Sequence, residues 1–239
     1  MNFPDNSSMP PNPAYPYPSE AGSSKPVTWE GMNQSTFAAK VVPYFGIALL
    51  VTGLGTSLGK GLSTGFLPVS GILCFVLYFV LMWKRHVPGL NVAILYTYAF
   101  VQGLFLAPLV GMASAAFPGI VTQALILTAL SFFSVAGYVM VTGKDFSGLQ
   151  PYLVSGLIVV IIAGIANWFV GGAGLGLGIS ILSVVLFMGF TAYDMSNIMH
   201  KFNGEEYILA TVELYLDFIN LFIAILRILL YFANSQSRR

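Results

Sequence analysis

Two stretches near the C-terminus, FMGFTAYDMSNIM (187–199) and ELYLDFINLFIAIL (213–226), each set an aspartate, Asp194 and Asp217, inside an apolar run of membrane length. A carboxylate at hydrocarbon depth is expensive, so such residues face a cavity or a partner and mark a functional site. The midpoint between 194 and 217 falls between Glu205 and Glu206, in the polar stretch HKFNGEEY. If that stretch turns a helical hairpin, both acids lie at similar depth, on the order of 15 Å from the turn at a rise of ~1.5 Å per residue. Two acids at one depth on neighbouring helices can share a proton, bind a cation or perform acid–base chemistry.

The surrounding chain defines the solvent. Of 239 residues, 56% are hydrophobic and 8% charged, with mean hydropathy +0.81. A soluble domain carries about 25% charged residues, so the composition indicates an all-α, polytopic membrane protein. A net charge of +1 provides no basic face for phosphates and points away from a nucleic-acid partner. The single cysteine, Cys74, lies mid-segment in GILCFVLYF and reads as packing filler.

Seven of the 13 prolines fall in the first 26 residues, among Ser, Asn and Gly. Such a composition buries no core, so residues 1–36 read as a disordered cytoplasmic tail without a secretory leader. Residues 37–233 then form a seven-helix membrane domain, and 234–239 a short polar tail. The apolar stretches run over about 38–59, 67–83, 91–113, 119–142, 150–170, 177–199 and 207–232. The second is short and needs a turn from its flanks. The breaks are GKGLSTG, KRHVPG, SAAFP, GKDFSGLQP, GGAGLG and KFNGEE, each with Gly or Pro.

Lys and Arg set the orientation. The side of the N-terminal tail holds Lys25, Lys40, Lys84, Arg85, Lys144 and Lys201. The other side holds Lys60, Arg238 and Arg239, with Arg227 a turn or so inside the last helix. The bias favours a cytoplasmic N-terminus.

On the last stretch, Glu213, Asp217, Asn220 and Arg227 occupy one stripe less than about 90° wide at 100° per residue. The sixth stretch has a matching stripe of Ser180, Ser183, Thr191, Asp194, Asn197 and Lys201. Two polar stripes in one hairpin imply a hydrated seam, with the last helix running through the middle of the bundle. The plainer alternative is a structural hydrogen bond between the acids, one of them permanently protonated.

Other motifs read as structural. GLSTG (61–65) matches a nucleophile pattern but lies in a connection, with His86 and His200 on the opposite membrane side. It reads as a flexible turn. GGAGLGLG (171–178) lacks phosphate-loop spacing and reads as a tight interhelical turn. Gly55 and Gly59 form a G-x-x-x-G suited to close helix packing. His86 and His200 read as loop histidines that could tune a pH response. Arg85 is either a positive-inside anchor or a long side chain reaching from the cytoplasmic end toward the acids.

AYDMSNI (192–198), LYLDFINLFIAILRIL (214–229) and LYTYAFVQGLFLAPLV (95–110) together resemble the Bax-inhibitor (transmembrane Bax-inhibitor-motif) family, in its bacterial form, over about 38–232. The resemblance implies a seven-helix bundle with the last helix central, in a bacterial inner membrane, acting as a pH-sensitive calcium leak rather than an enzyme. It also implies a di-carboxylate site at Asp194 and Asp217 and a latching arginine at Arg85. Where some members carry an acid in mid-helix 2, this chain has Cys74, which leaves a gap in any acidic ion path.

Two carboxylates within hydrogen-bond reach cannot both ionise easily, so the pair titrates as a unit. In the resting state the charge left on the pair holds Arg85 across the cytoplasmic mouth, and further protonation releases it. Calcium prefers six to eight oxygens. The two aspartates with Glu213, Asn220 and water supply some of them, beside Thr191 and Asn197, for weak transient binding with no resident cofactor. A rival class is the intramembrane aspartyl protease, which shares Tyr193-Asp194 but needs G-x-G-D where residues 214–217 read LYLD. A third is a regulatory protein that binds a membrane protease or another membrane partner.

Overall fold

The structure is a computed structural model, and it describes residues 30–61 and 66–237. The expected tail up to residue 29 and the turn at Ser63 lie outside the described residues. Seven helices follow in chain order, joined by short connections, with no strand among the described residues. They are α1 (Gln34–Leu58), α2 (Phe66–Lys84), α3 (Leu90–Ala116), α4 (Ile120–Thr142), α5 (Gln150–Val170), α6 (Ala173–His200) and α7 (Tyr207–Ser237). Six of them are long and apolar enough to cross a membrane; the seventh, α2, has a shorter apolar part, Pro68–Lys84. The chain is thus a multi-pass membrane protein.

The boundaries differ from the expected ones where glycine or polar residues misled. In α6 the run AGLG is helical, leaving only Gly171 and Gly172 as the turn. Glycine costs about 1 kcal/mol in a helix in water, but in hydrocarbon each backbone group must be satisfied within the segment, which favours helix regardless. Gly171 holds φ +62°, which allows the two-residue turn. α7 continues through Ser237, and Asn234 and Ser235 bond back to the carbonyls of Leu230 and Tyr231 at 2.9 and 2.8 Å.

Residues 31–36, expected within the disordered tail, are structured. The backbone N–H groups of Gly31 and Met32 donate to the carbonyls of Met199 and Ile198, at 2.6 and 3.0 Å. The last carbonyls of α6 have no intrahelical partner, and this strap supplies donors there. Met32 is fully buried beneath it. Asn33 then caps α1 by accepting from the Ser35 amide at 2.9 Å. A wide π turn over Phe37–Val41 precedes Pro43. It relieves the clash that a proline ring makes with the carbonyl four residues back.

Close packing sets the framework. A Cβ on Gly55 of α1 would collide with the Phe100 carbonyl, and one on Gly103 of α3 with the Thr52 carbonyl. A Cβ on Gly59 would meet that of Ala107. The G-x-x-x-G of α1 therefore packs backbone to backbone on α3. Phe45, Phe132 and Phe218 join α1, α4 and α7 through ring contacts of 5.4 to 5.8 Å. α7 packs against α1, α3, α4 and α6. α5 packs on α6 and presents Ile158, Ile162, Ile165 and Phe169 outward, an apolar face suited to lipid.

Candidate functional site

The α6–α7 hairpin brings the two acids together. Asp194 is 6% exposed and Asp217 4%, and their carboxyl groups lie within hydrogen-bonding reach of each other. Two carboxyl groups can bond only with a proton between them, so the geometry selects a pair that holds at least one. The Thr191 hydroxyl also reaches Asp217. That hydroxyl lies 2.8 Å from the Phe187 carbonyl, which can only accept. When its single proton goes to Phe187, Thr191 can only accept from a protonated Asp217. Asp217 Oδ2 remains buried without a partner.

The pair forms part of the wall of a cavity of about 530 Å³ between α2, α5, α6 and α7. Glu213 and Asn220 line it one turn to either side of Asp217, as the stripe predicted. Glu213 Oε2 is buried and unpartnered, and Glu213 interacts electrostatically with Asp194, Asp217 and Arg85. The Asn220 amide donates to the Leu216 carbonyl at 2.8 Å, leaving its carbonyl oxygen free to face the cavity. Asn197 is buried with Oδ1 unpartnered but is not on the cavity wall. Among the described residues, no three His, Cys, Asp or Glu side chains converge to hold a metal ion.

Arg85 is not brought to the aspartates. Its Nε donates to His86 Nε2 at 3.0 Å, and among the described residues no ion pair joins it to either acid. The reason is local. Arg85 follows the last residue of α2, where its own carbonyl accepts from Asn91 at 2.9 Å, and its charge acts on Glu213 instead.

Sequence reasoning missed Tyr78, Tyr193 and Gln150 as wall residues. A phenol within an apolar helix counts as apolar, and Gln150 had been assigned to a connection. The two polar stripes do not line one cavity throughout. Ser180 and Ser183 bond to the carbonyls of Gly176 and Ile179 in their own helix, at 2.9 and 2.8 Å. Leu186, eight residues before Asp194, and Ala224, seven after Asp217, are apolar and buried. Arg227 and Ser180 line a separate cavity that shares no wall residue with the acid cavity.

Outside the spans, Asp145 organises the α4–α5 connection. Its carboxylate accepts from the Ser147 amide at 2.8 Å, the Ser147 hydroxyl at 3.0 Å and the Ser196 hydroxyl at 3.1 Å. The Ser147 amide leads these donors in holding the carboxyl below its ordinary range, and the charge of His200 adds slightly.

A multi-pass helical membrane protein with a buried carboxyl pair in its last hairpin is the class these features define. The sequence matches the family described as "Inhibitor of apoptosis-promoting Bax1" over residues 34–235, and the chain belongs to this Bax inhibitor/lifeguard family. It is 33% identical to an uncharacterized protein of Campylobacter jejuni over 211 residues, covering 84% of this chain and 90% of that protein. It is 35% identical to the Golgi anti-apoptotic protein of Vaccinia virus over 153 residues, 64% of this chain and 63% of the other. It is 32% identical to Protein lifeguard 4 of Mus musculus over 153 residues, again 64% and 63%.

Proposed function

We propose that this protein is a pH-sensitive, calcium-permeable leak channel, a seven-span bundle with α7 at its centre, in a bacterial inner membrane with its N-terminus cytoplasmic. The observation that carries the reading is the protonatable Asp194–Asp217 pair on the wall of a cavity large enough for hydrated ions. The contacts of α7 with four other helices support its central position. The excess of Lys and Arg on the side of the N-terminus supports the orientation.

The burial of Leu186 and Ala224 supports reading this as a closed form. In it the acid pair shares a proton, and Arg85 guards the cytoplasmic mouth through Glu213. Protonation of the acid cluster, Glu213 included, removes the negative charge that attracts Arg85, and the α6–α7 hairpin loosens. Calcium then passes with transient ligation by Asp194, Asp217, Glu213, Asn220 and water, weakly because the protonated carboxyls no longer offer charged oxygens. No catalysis is involved in this reading. Leu214 and Leu216 flank Asp217 where an aspartyl protease needs glycine for its substrate.

Calcium flux into proteoliposomes of the purified chain, measured across a pH series, tests the reading. A flux that rises as pH falls through neutrality is expected. Flux no greater than in empty liposomes at every pH would sink it. A second reading is a regulatory role through binding a membrane protease or another membrane partner, favoured by the anti-apoptotic name of the viral relative. It would stand if flux were absent while crosslinking in native membranes captured one stoichiometric partner.

A further inference from the structure

Away from the acid pair, at the α5–α6 turn, α5, α6 and α7 enclose a second cavity of about 410 Å³. Asn167 of α5, Ser180 of α6, and Arg227 and Tyr231 of α7 provide its polar wall, among glycines and aliphatic side chains. Arg227 has neither a hydrogen bond nor an ion pair among the described residues. On its own helix the nearest carboxylate is Asp217, ten residues away, or about 15 Å along the axis. No carboxylate lines this cavity. Arg227 is exposed at the mouth of this cavity, and an exposed guanidinium near the end of a span without a counter-charge is placed to pair with an anion from the headgroup region or from water.

The other polar atoms define what the counter-charge must carry. Asn167 Oδ1 is buried and without a partner. The Ser180 hydroxyl gives its proton to the Gly176 carbonyl at 2.9 Å, so it faces the cavity as an acceptor. The site thus offers two donor groups, the Arg227 guanidinium and the Tyr231 hydroxyl, beside two acceptors, Asn167 Oδ1 and Ser180 Oγ, that lack a donor. A bare anion would satisfy Arg227 and leave Asn167 and Ser180 unpaired. An anionic oxygen bearing a neighbouring hydroxyl satisfies all three.

We propose that this cavity binds a hydroxyl-bearing phosphate. Arg227 takes the phosphate oxygens, and Asn167 Oδ1 and Ser180 Oγ accept from the hydroxyl. The membrane source is the headgroup of a phosphoglycerol lipid, whose chains lie along the apolar outer face of α5. The aqueous source is inorganic hydrogen phosphate. Basic pockets between membrane helices are suited to such headgroups. The inference is independent of the leak reading, because the two cavities have no wall residue in common.

The test has two arms. In the first, the purified full chain is exchanged into detergent with equal phosphatidylglycerol and phosphatidylcholine, and retained lipid is counted by native mass spectrometry. In the second, delipidated protein is titrated with sodium phosphate against sodium chloride at equal ionic strength, with thermal stability as readout. For the membrane source, wild type should prefer phosphatidylglycerol about tenfold, an effect of ~1.4 kcal/mol. R227Q should abolish that preference, R227K should restore part of it, and K60Q, a cation outside the cavity, should leave it unchanged. For the aqueous source, phosphate alone should raise the melting temperature of wild type but not of R227Q. If R227Q does not fold, N167L carries the test and should lose the same preference or shift. Absence of both preference and phosphate shift in wild type, or their survival in R227Q or N167L, overturns the proposal.

Discussion

The Tyr215 hydroxyl lies 2.7 Å from Thr52 Oγ1, a fully buried hydrogen bond that ties the last helix to the first. Thr52 Oγ1 also lies 2.8 and 3.1 Å from the carbonyls of Ala48 and Ala99, which can only accept. Its proton goes to one of them, so Tyr215 is the donor to Thr52. Tyr215 and Asp217 are two residues apart, about 200° around a helix. Fixing the phenol against α1 and α3 therefore turns Asp217 toward α6.

Replacing Tyr215 with Phe removes the donor and leaves the ring in place. The expected loss is about 1 kcal/mol of stability, together with a change in calcium flux as α7 gains rotational freedom. Thermal unfolding and proteoliposome flux of the purified variant measure both. A variant with wild-type stability and wild-type flux would show that the bond does not set the rotation.

The α1–α3 contact makes a sharper stability prediction. Gly103→Ala drives a methyl into the Thr52 carbonyl, which belongs to the backbone and cannot swing away. A cost of ~1–3 kcal/mol is expected from overpacking. Gly111→Ala, on the same helix with nothing within 4 Å of the new Cβ, should be neutral or slightly stabilising. Equal melting temperatures for the two variants would refute the close approach.

The acid pair was legible in the sequence because a carboxylate stands out in an apolar run, and the polar turn between the two fixes their relative depth. Glu213 and Asn220 followed from helical spacing. Three features were not legible. Tyr215 and Tyr78 resemble their apolar neighbours until the fold shows what their hydroxyls meet. The partners of the seam serines were not legible, because periodicity gives the face a serine occupies, while Ser180 and Ser183 spend their hydroxyl protons on their own helix. Charge counts give only an expected membrane side for Arg85, and the direction of its side chain depends on the α2–α3 connection, where His86 takes it.

Asp217→Asn tests whether the pair is the pH sensor. An amide donates and accepts without exchanging a proton near neutrality, so the shared proton loses one of its two sites. Flux should change, and its pH dependence should flatten while Asp194 titrates alone. Flux measured from pH 5 to 8 gives the answer. An unchanged profile would leave the pair as a structural hydrogen bond.

Asp145 provides a pH response of opposite sign, separable from that of the pair. Its carboxyl is depressed in the folded state, chiefly by the Ser147 amide. The stabilisation it contributes is therefore complete above the ordinary aspartate range, about pH 4. It is lost only as pH falls through the lowered folded value. Asp145→Asn should lower the melting temperature at pH 7, and the difference from wild type should shrink at pH 3. The shape of the flux profile between pH 5 and 8 should not move. A displaced flux profile would make Asp145 part of the gate.

In the proposed latch the cation is Arg85. Its guanidinium is held by His86 at 3.0 Å, and its charge acts on Glu213, which in turn interacts with Asp194 and Asp217. Arg85 is attracted to this cluster only while the acids retain negative charge, and acidification removes that charge. Arg85→Ala should therefore raise calcium leak most at neutral and alkaline pH, where wild type is closed. At acidic pH, where wild type is already released, the two should converge. Lys84→Ala is the control: Lys84 is one residue away, rotated by about 100°, and its ammonium lies over the Trp83 ring at 4.4 Å. It should leave the profile at the wild-type level. If both substitutions raise the leak equally, or if the Arg85→Ala effect is the same at every pH, Arg85 is a topology anchor and the gate lies elsewhere.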